Sequence, residues 1–272
     1  MTTLKQLFLA VTLSTVVATP VLPRDVYTVG FAARGKSAGC RQAFWSADDD
    51  LYNSGATPAT VRLLGISNGS LAPGTPTSFD VPPNNLVSLG QQRPPWVPSG
   101  SSPEYSLWVM HLDVPDTVTV VSKDIVQDVE LCIPGYGVVA TVKTSLPTFN
   151  ELVPPNQPQI KLGTDIGSLV ARQNVMIYNG GTQDASAIIE IHRPCDDTLV
   201  ATHAVTIPAN TILQVGGLNT GSSDVSCSSE AVSRFDRYTI VRVDQPSFSI
   251  VSTLTEDRPS SDVVPLVGIV VQ

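Results

Sequence analysis

"DLYNSGATPATVRLL", Asp50 to Leu64, returns later in the chain as "MIYNGGTQDASAIIE", Met176 to Glu190. Tyr52 falls on Tyr178, Asn53 on Asn179, Gly55 on Gly181 and Ala59 on Ala185, a constant spacing of 126 residues. Two more blocks follow in the same order. "VPPNNLVSLG" (Val81 to Gly90) lies over "IPANTILQVG" (Ile207 to Gly216) at the same spacing, and "VPDTVTVVSKD" from Val114 corresponds to "QPSFSIVSTLTED" from Gln245 at a spacing a few residues larger. A repeat of this kind decides architecture before local propensity does. It describes one module written twice, over residues 26–146 and 147–272, with the prolines of "LVPPNQPQ" (Leu152 to Gln159) marking a linker.

Within each copy the period is two. Val61 and Leu63 fall on one face of "ATVRLLG" and Thr60 and Arg62 on the other, and Ala187 and Ile189 alternate in the same way with Ser186 and Glu190. "TVTVVS" and "SFSIVS" alternate too, and β-branched residues suit pleated strands. The "YN-x-G" blocks, with "VPPN" and "IPAN", supply Asn and Gly for turns with left-handed backbone angles. No stretch has the apolar spacing of an amphipathic helix. The expected fold is all-β: two tandem immunoglobulin-like antiparallel β-sandwich domains after a signal peptide.

That signal peptide is read over residues 1–18. Lys5 precedes an apolar run from Leu7 to Ala18, with small residues Val16 and Ala18 at the cleavage positions and Pro20 and Pro23 beyond. The run is shorter than the about 20 apolar residues that cross a bilayer, so a secreted chain without membrane insertion is expected. "VVPLVGIVVQ" at the end of the chain reads as a last buried strand. Four cysteines, Cys40, Cys132, Cys195 and Cys227, fit disulfides in an exported protein. Three pairings can be drawn, and the repeat favours Cys40 with Cys132 and Cys195 with Cys227. A formal charge of −8 with sparse Lys and Arg argues against nucleic acid and against anionic membrane surfaces.

The order "GFAARGKSAGCRQAFWSADDDLYNSGATPATVRLL", then "TSFDVPPNNLVSL", then "VPDTVTVVSKD", resembles a module of secreted and surface proteins of bacteria, in which an aromatic-led strand ends in a "lyN-x-g" turn. The second copy departs from it, with "QNVMIYN" where the first has Phe44 and Trp45. The resemblance implies an extracellular β-sandwich and brings no catalytic residues.

Several motifs invite chemistry. "GFAARGKS", Gly30 to Ser37, fits the phosphate-loop pattern G-x-x-x-x-G-K-[ST] but precedes no helix, so a lead-in loop to the first sandwich is expected and no cofactor. Asp48, Asp49 and Asp50 offer oxygen ligands for calcium. They are contiguous where calcium loops alternate, and a solvated turn is the expectation. His111, His192 and His203 lack zinc or copper spacing. No G-x-S-x-G elbow or Ser-His-Asp set stands out, and no residue is assigned as catalytic. Trp96, in the proline-stiffened "QQRPPWVPSGSSPE", is the candidate for stacking on a glycan or a protein partner. Asn68 opens a lone glycan-acceptor pattern, "NGS". The resulting expectation is a non-enzymatic structural, adhesive or ligand-presenting protein, with a glycan-binding module as the alternative and calcium-dependent or hydrolytic activity as the third.

Overall fold

The computed structural model describes residues 23–37, 41–68, 76–89, 105–128, 140–163, 170–193, 196–216, 218, 237–256, 263–267 and 270–271. Every regular element among the described residues is a β-strand, and every strand pairing is antiparallel. The first half contains β1 (Arg24–Ser37), β2 (Arg41–Asn53), β3 (Ala59–Ile66), β4 (Ser78–Val81), β5 (Asn85–Ser88), β6 (Tyr105–Val114), β7 (Val118–Asp128) and β8 (Ala140–Leu146). The second contains β9 (Gln159–Gly163), β10 (Val170–Asn179), β11 (Ala185–His192), β12 (Leu199–Ile207), β13 (Thr211–Val215), β14 (Arg237–Val243), β15 (Ser247–Glu256), β16 (Val263–Val267) and β17 (Val270–Val271). The apolar C-terminal stretch therefore forms two strands on different sheets, β16 beside β15 and β17 beside β9.

Each half is a sandwich of two layers. In the first, β4-β3-β6-β1 faces β5-β2-β7-β8, and β1 joins the layers by bordering β6 as far as Ala33 and β2 from Ala33 to Ser37. In the second, β13-β10-β15-β16 faces β12-β11-β14-β9-β17. The alternation read from sequence fills these cores. Leu51, Val61, Leu63, Val81, Leu112 and Val118 meet in the first, and Val175, Ile177, Ala187, Ile189, Ile207 and Val241 in the second.

The repeat is legible atom by atom. The amide of Asn53 donates to Thr57 O (2.8 Å) and Val81 O (3.0 Å) and accepts from Gly55 N (2.9 Å). Asn179 donates to Gln183 O (2.8 Å) and Ile207 O (3.0 Å) and accepts from Gly181 N (2.9 Å). Every one of these partners is shifted by 126 residues. Asn53 then stands opposite Val118 and Asn179 opposite Ser247, so the spacing has grown by three residues at β7 and β15. One expectation about these turns needs correction. Neither Asn53 nor Asn179 is left-handed; the left-handed residues are Asn84 (φ 51°) and Asn210 (φ 50°), at the end of "VPPN" and "IPAN".

A third apolar seam joins the halves. Alternate residues of β1 and β6 that point away from the first core, Tyr27, Val29, Leu107 and Val109, pack on Met176, Tyr178, Ile212, Phe248 and Ile250 of the second half. The result is four sheet layers with three seams, in which the two middle sheets are apolar on both faces. An antiparallel sheet more commonly leaves one face to solvent. The linker runs through the seam as a strap. Phe149 exchanges backbone bonds with Tyr27 (2.7 and 3.0 Å) and stacks on Phe248 at 4.1 Å, and Val153 exchanges them with Ser247 (2.7 and 3.1 Å). Asn68 pins the seam from the side. Its amide donates to Leu107 O (2.7 Å) in one half and Ile212 O (2.8 Å) in the other, and accepts from Ile212 N (3.0 Å).

Candidate functional site

The phosphate-loop pattern is the first candidate to resolve. Gly30 to Ser37 is not the lead-in loop expected but the second part of β1, an extended strand whose continuation after Arg41 is another strand. Gly30 to Ala33 stand opposite β6 and Ala33 to Ser37 opposite β2, so their backbone groups serve the two ladders. A phosphate cradle needs those N–H groups converging on an anion at a helix start. Gly30 has a packing reason instead: a Cβ there would lie 2.5 Å from Cε2 of the buried Trp108 indole.

The acidic run is likewise no solvated turn. Asp48 to Asp50 lie inside β2, opposite Lys123, Ser122 and Val121 of β7, and Asp49 and Asp50 are buried. Asp49 accepts a hydrogen bond from Thr28 Oγ1 at 3.3 Å across the first core. Adjacent strand residues point to opposite faces, so the carboxylates of Asp49 and Asp50 do not converge. Among the described residues, no group of three or more His, Cys, Asp or Glu side chains is arranged to hold a metal ion.

The histidines lie on β6, β11 and β12. His111 stacks on Tyr27 at 4.4 Å and its Nε2 is 2.9 Å from Asp25 Oδ1, at the rim of the seam. His203 stands opposite Ile189. His192 anchors the densest polar cluster. It stacks on Tyr238 at 5.1 Å, with Nδ1 3.1 Å from Asp197 Oδ1 and Nε2 3.9 Å from Glu190 Oε2. Tyr238 donates its hydroxyl to Asp197, which pushes that phenol up to about 12, and Arg242 pairs with Glu190. Arg193 pairs with Asp196 at 2.7 Å, closing the hairpin end. Register explains the assembly: His192 opposes Tyr238 and Glu190 opposes Ile240, so alternate residues of β11 share the outer face with β14.

Chemically, an imidazole held by a carboxylate is the orienting half of a general base. Nε2 of His192 is buried, and no hydroxyl of the described residues reaches it within hydrogen-bond distance. The cluster as described ties together the β11–β12 hairpin and β14. Sequence reading treated His192 as a lone histidine and missed this constellation. The signal available was "HRPCDDT", which returns Asp197 to the histidine and Asp196 to Arg193 across a short hairpin.

Cys40, Cys132, Cys195, Cys227 and Trp96 lie outside the described residues, as do residues 1–18. Trp108 is buried in the first core. The glycan-acceptor Asn68 has both ends of its amide engaged across the seam. Comparison with protein-family models, with curated proteins and with solved structures finds no match to this chain.

Proposed function

We propose that this chain is an exported, non-enzymatic protein of structural, adhesive or ligand-presenting kind, built from two tandem immunoglobulin-like sandwiches. The observation that carries this reading is the seam between the halves. Buried aromatics, a hydrogen-bonded strap and the Asn68 pin join two copies of one module through a buried contact, which suits a spacer or a display surface. The groups that invited chemistry are engaged in that framework: Gly30 makes room for Trp108, and Asp49 accepts from Thr28. The immunoglobulin likeness proposed is one of two-layer architecture and not of strand order. Strands F and G of an immunoglobulin domain share a sheet, whereas β6 and β7, like β14 and β15, belong to different layers.

Export follows from the leader and the even cysteine count, and the resemblance to bacterial surface modules agrees with it. Fractionation of the producing cell with N-terminal sequencing tests it. The expected product begins at Thr19, lies outside the cytoplasm and loses mass-detected disulfides on reduction; an intact Met1 terminus with four free thiols overturns export. A glycan array on the same material tests the structural role, because saturable sugar binding abolished by Trp96→Ala would replace it with lectin-like recognition.

A further inference from the structure

The seam uses one face of each half, and the duplication means that each of those faces has a counterpart elsewhere in the molecule. In the second half, the docking face has Tyr178 flanked by Ile212 and Phe248, with Met176 beside Ile250. In the first half the same register positions are Tyr52 flanked by Leu86 and Thr119, with Asp50 beside Val121. Tyr52, Leu86 and Val121 face outward, 41%, 53% and 38% exposed, whereas Asp50 beside them is buried. On the other side of the seam, Tyr27 stands opposite His111. Its counterpart pair in the second half is Ile160 opposite Ile240; Ile160 is 38% exposed, and Ile188, 42% exposed at the counterpart of Arg62, borders the His192–Tyr238 polar cluster on the same outer face.

Among the described residues, the four-layer stack thus ends in two faces that occupy the places of the two partners of a joint that already forms inside the chain. We propose that copies of this chain dock head to tail, the outer face of β2, β5 and β7 of one copy seating on the outer face of β9, β11 and β14 of the next. The occupant is a second copy because the complementary face is the one the duplication supplies, and the contact continues the established seam by one more layer. The two faces differ, so the interface is heterologous. Such contacts build rings if the rotation closes and linear assemblies if it does not. Exposed apolar groups gathered on one sheet face, as Tyr52, Leu86 and Val121 are, mark such a surface.

This joint is weaker than the internal one. Asp50 replaces Met176, Thr119 replaces Phe248, Tyr238 with its bond to Asp197 replaces Val109, and Pro194 stands at the 126-residue counterpart of the Asn68 pin. The inference does not depend on export, so it survives or fails separately from the function proposed above.

Sedimentation velocity of the full chain from about 1 μM to about 1 mM covers weak association. The wild type is expected to grow beyond a monomer as concentration rises. Leu86→Asp and Ile188→Asp each remove one face at a solvent-exposed position, and unchanged melting temperatures verify their folding. Each alone is expected to weaken association about 30-fold or more, the scale of an interface hot spot. Mixed in equal amounts they are expected to form a dimer and nothing larger, because each retains the face the other lacks. A wild type that stays monomeric, single variants that associate like the wild type, or a mixture that stays monomeric overturns the proposal.

Discussion

The outer face of β10 and β15 and the outer face of β2 and β7 descend from one pattern and meet different fates. In both, a tyrosine sits at the centre, with a branched aliphatic on one neighbouring strand. Around Tyr178 the remaining places hold Phe248, Met176 and Ile250, all buried in the seam. Around Tyr52 they hold Thr119, Asp50 and Val121. Two substitutions of polar for apolar character separate a face covered by the other half from one on which Tyr52 and Val121 stay exposed. A module boundary in sequence is therefore no boundary in packing: the second half needs the first half's sheet as cover, whereas the first half's far sheet does without.

The largest expected effect tests that asymmetry directly. Phe248→Ala removes a buried aromatic from the seam and is expected to cost about 3–5 kcal/mol, while Thr119→Ala at the matching place stays within about 0.5 kcal/mol. Urea denaturation midpoints measure both, and equal losses would break the comparison. Asn53→Ala and Asn179→Ala probe instead what the halves share. Each strands buried carbonyls and one N–H, so both are expected to lose about 2–3 kcal/mol, and a large difference between them would mean that the repeat is not equivalent in energy.

A smaller effect separates the cores by pH. Thr28 in β1 and Lys161 in β9 occupy matching positions, one after Tyr27 and one after Ile160, and Lys161 is only 2% exposed. Burial pulls the Lys161 ammonium down to about 8 from its ordinary 10.5, so between those values the unfolded chain holds a proton that the folded chain has released. Stability therefore rises with pH across that window, by about 2 kcal/mol between about pH 7.5 and 9.5. Lys161→Met is expected to remove the rise. Near pH 10 the opposite sign enters, because burial and the neighbouring Tyr27 push Tyr178 up to about 12 and the unfolded chain ionises first. Stability falls above that point. A flat profile in the wild type would show that Lys161 is not titrating in a dry core.

Sequence patterning carried the strands, the repeat and the roles of Val61, Leu63, Ala187 and Ile189, because a half-buried strand writes its burial as alternation. It missed the seam for the same reason. "VYTVG" and "SLWVMHLDV" are apolar on nearly every residue, which signals burial on both faces, but alternation by itself gives no name to the second cover. The acidic run misled because three aspartates in a row suggest solvent, and only the packing of one layer on the other shows Thr28 reaching Asp49 across the core. The phosphate-loop pattern misled because it specifies residue types and not conformation. Gly30 is required by the Trp108 ring across the ladder, a contact between positions 78 residues apart in sequence that no local motif contains.

The seam also sets a timetable for synthesis. The β6–β1 sheet can form once residue 114 has emerged, but its cover on the seam side waits for Phe248 and Ile250 of β15. At about 5–20 residues per second the ribosome leaves that apolar face without its native partner for roughly 7–30 s. During that interval the nascent chain presents a sheet face that any neighbouring nascent copy can cover with its own β10 and β15, exchanging halves between chains. Holding the chain unfolded until it is complete avoids the exchange, and so does a strap as short as residues 147–158, which favours the half on the same chain over one from another.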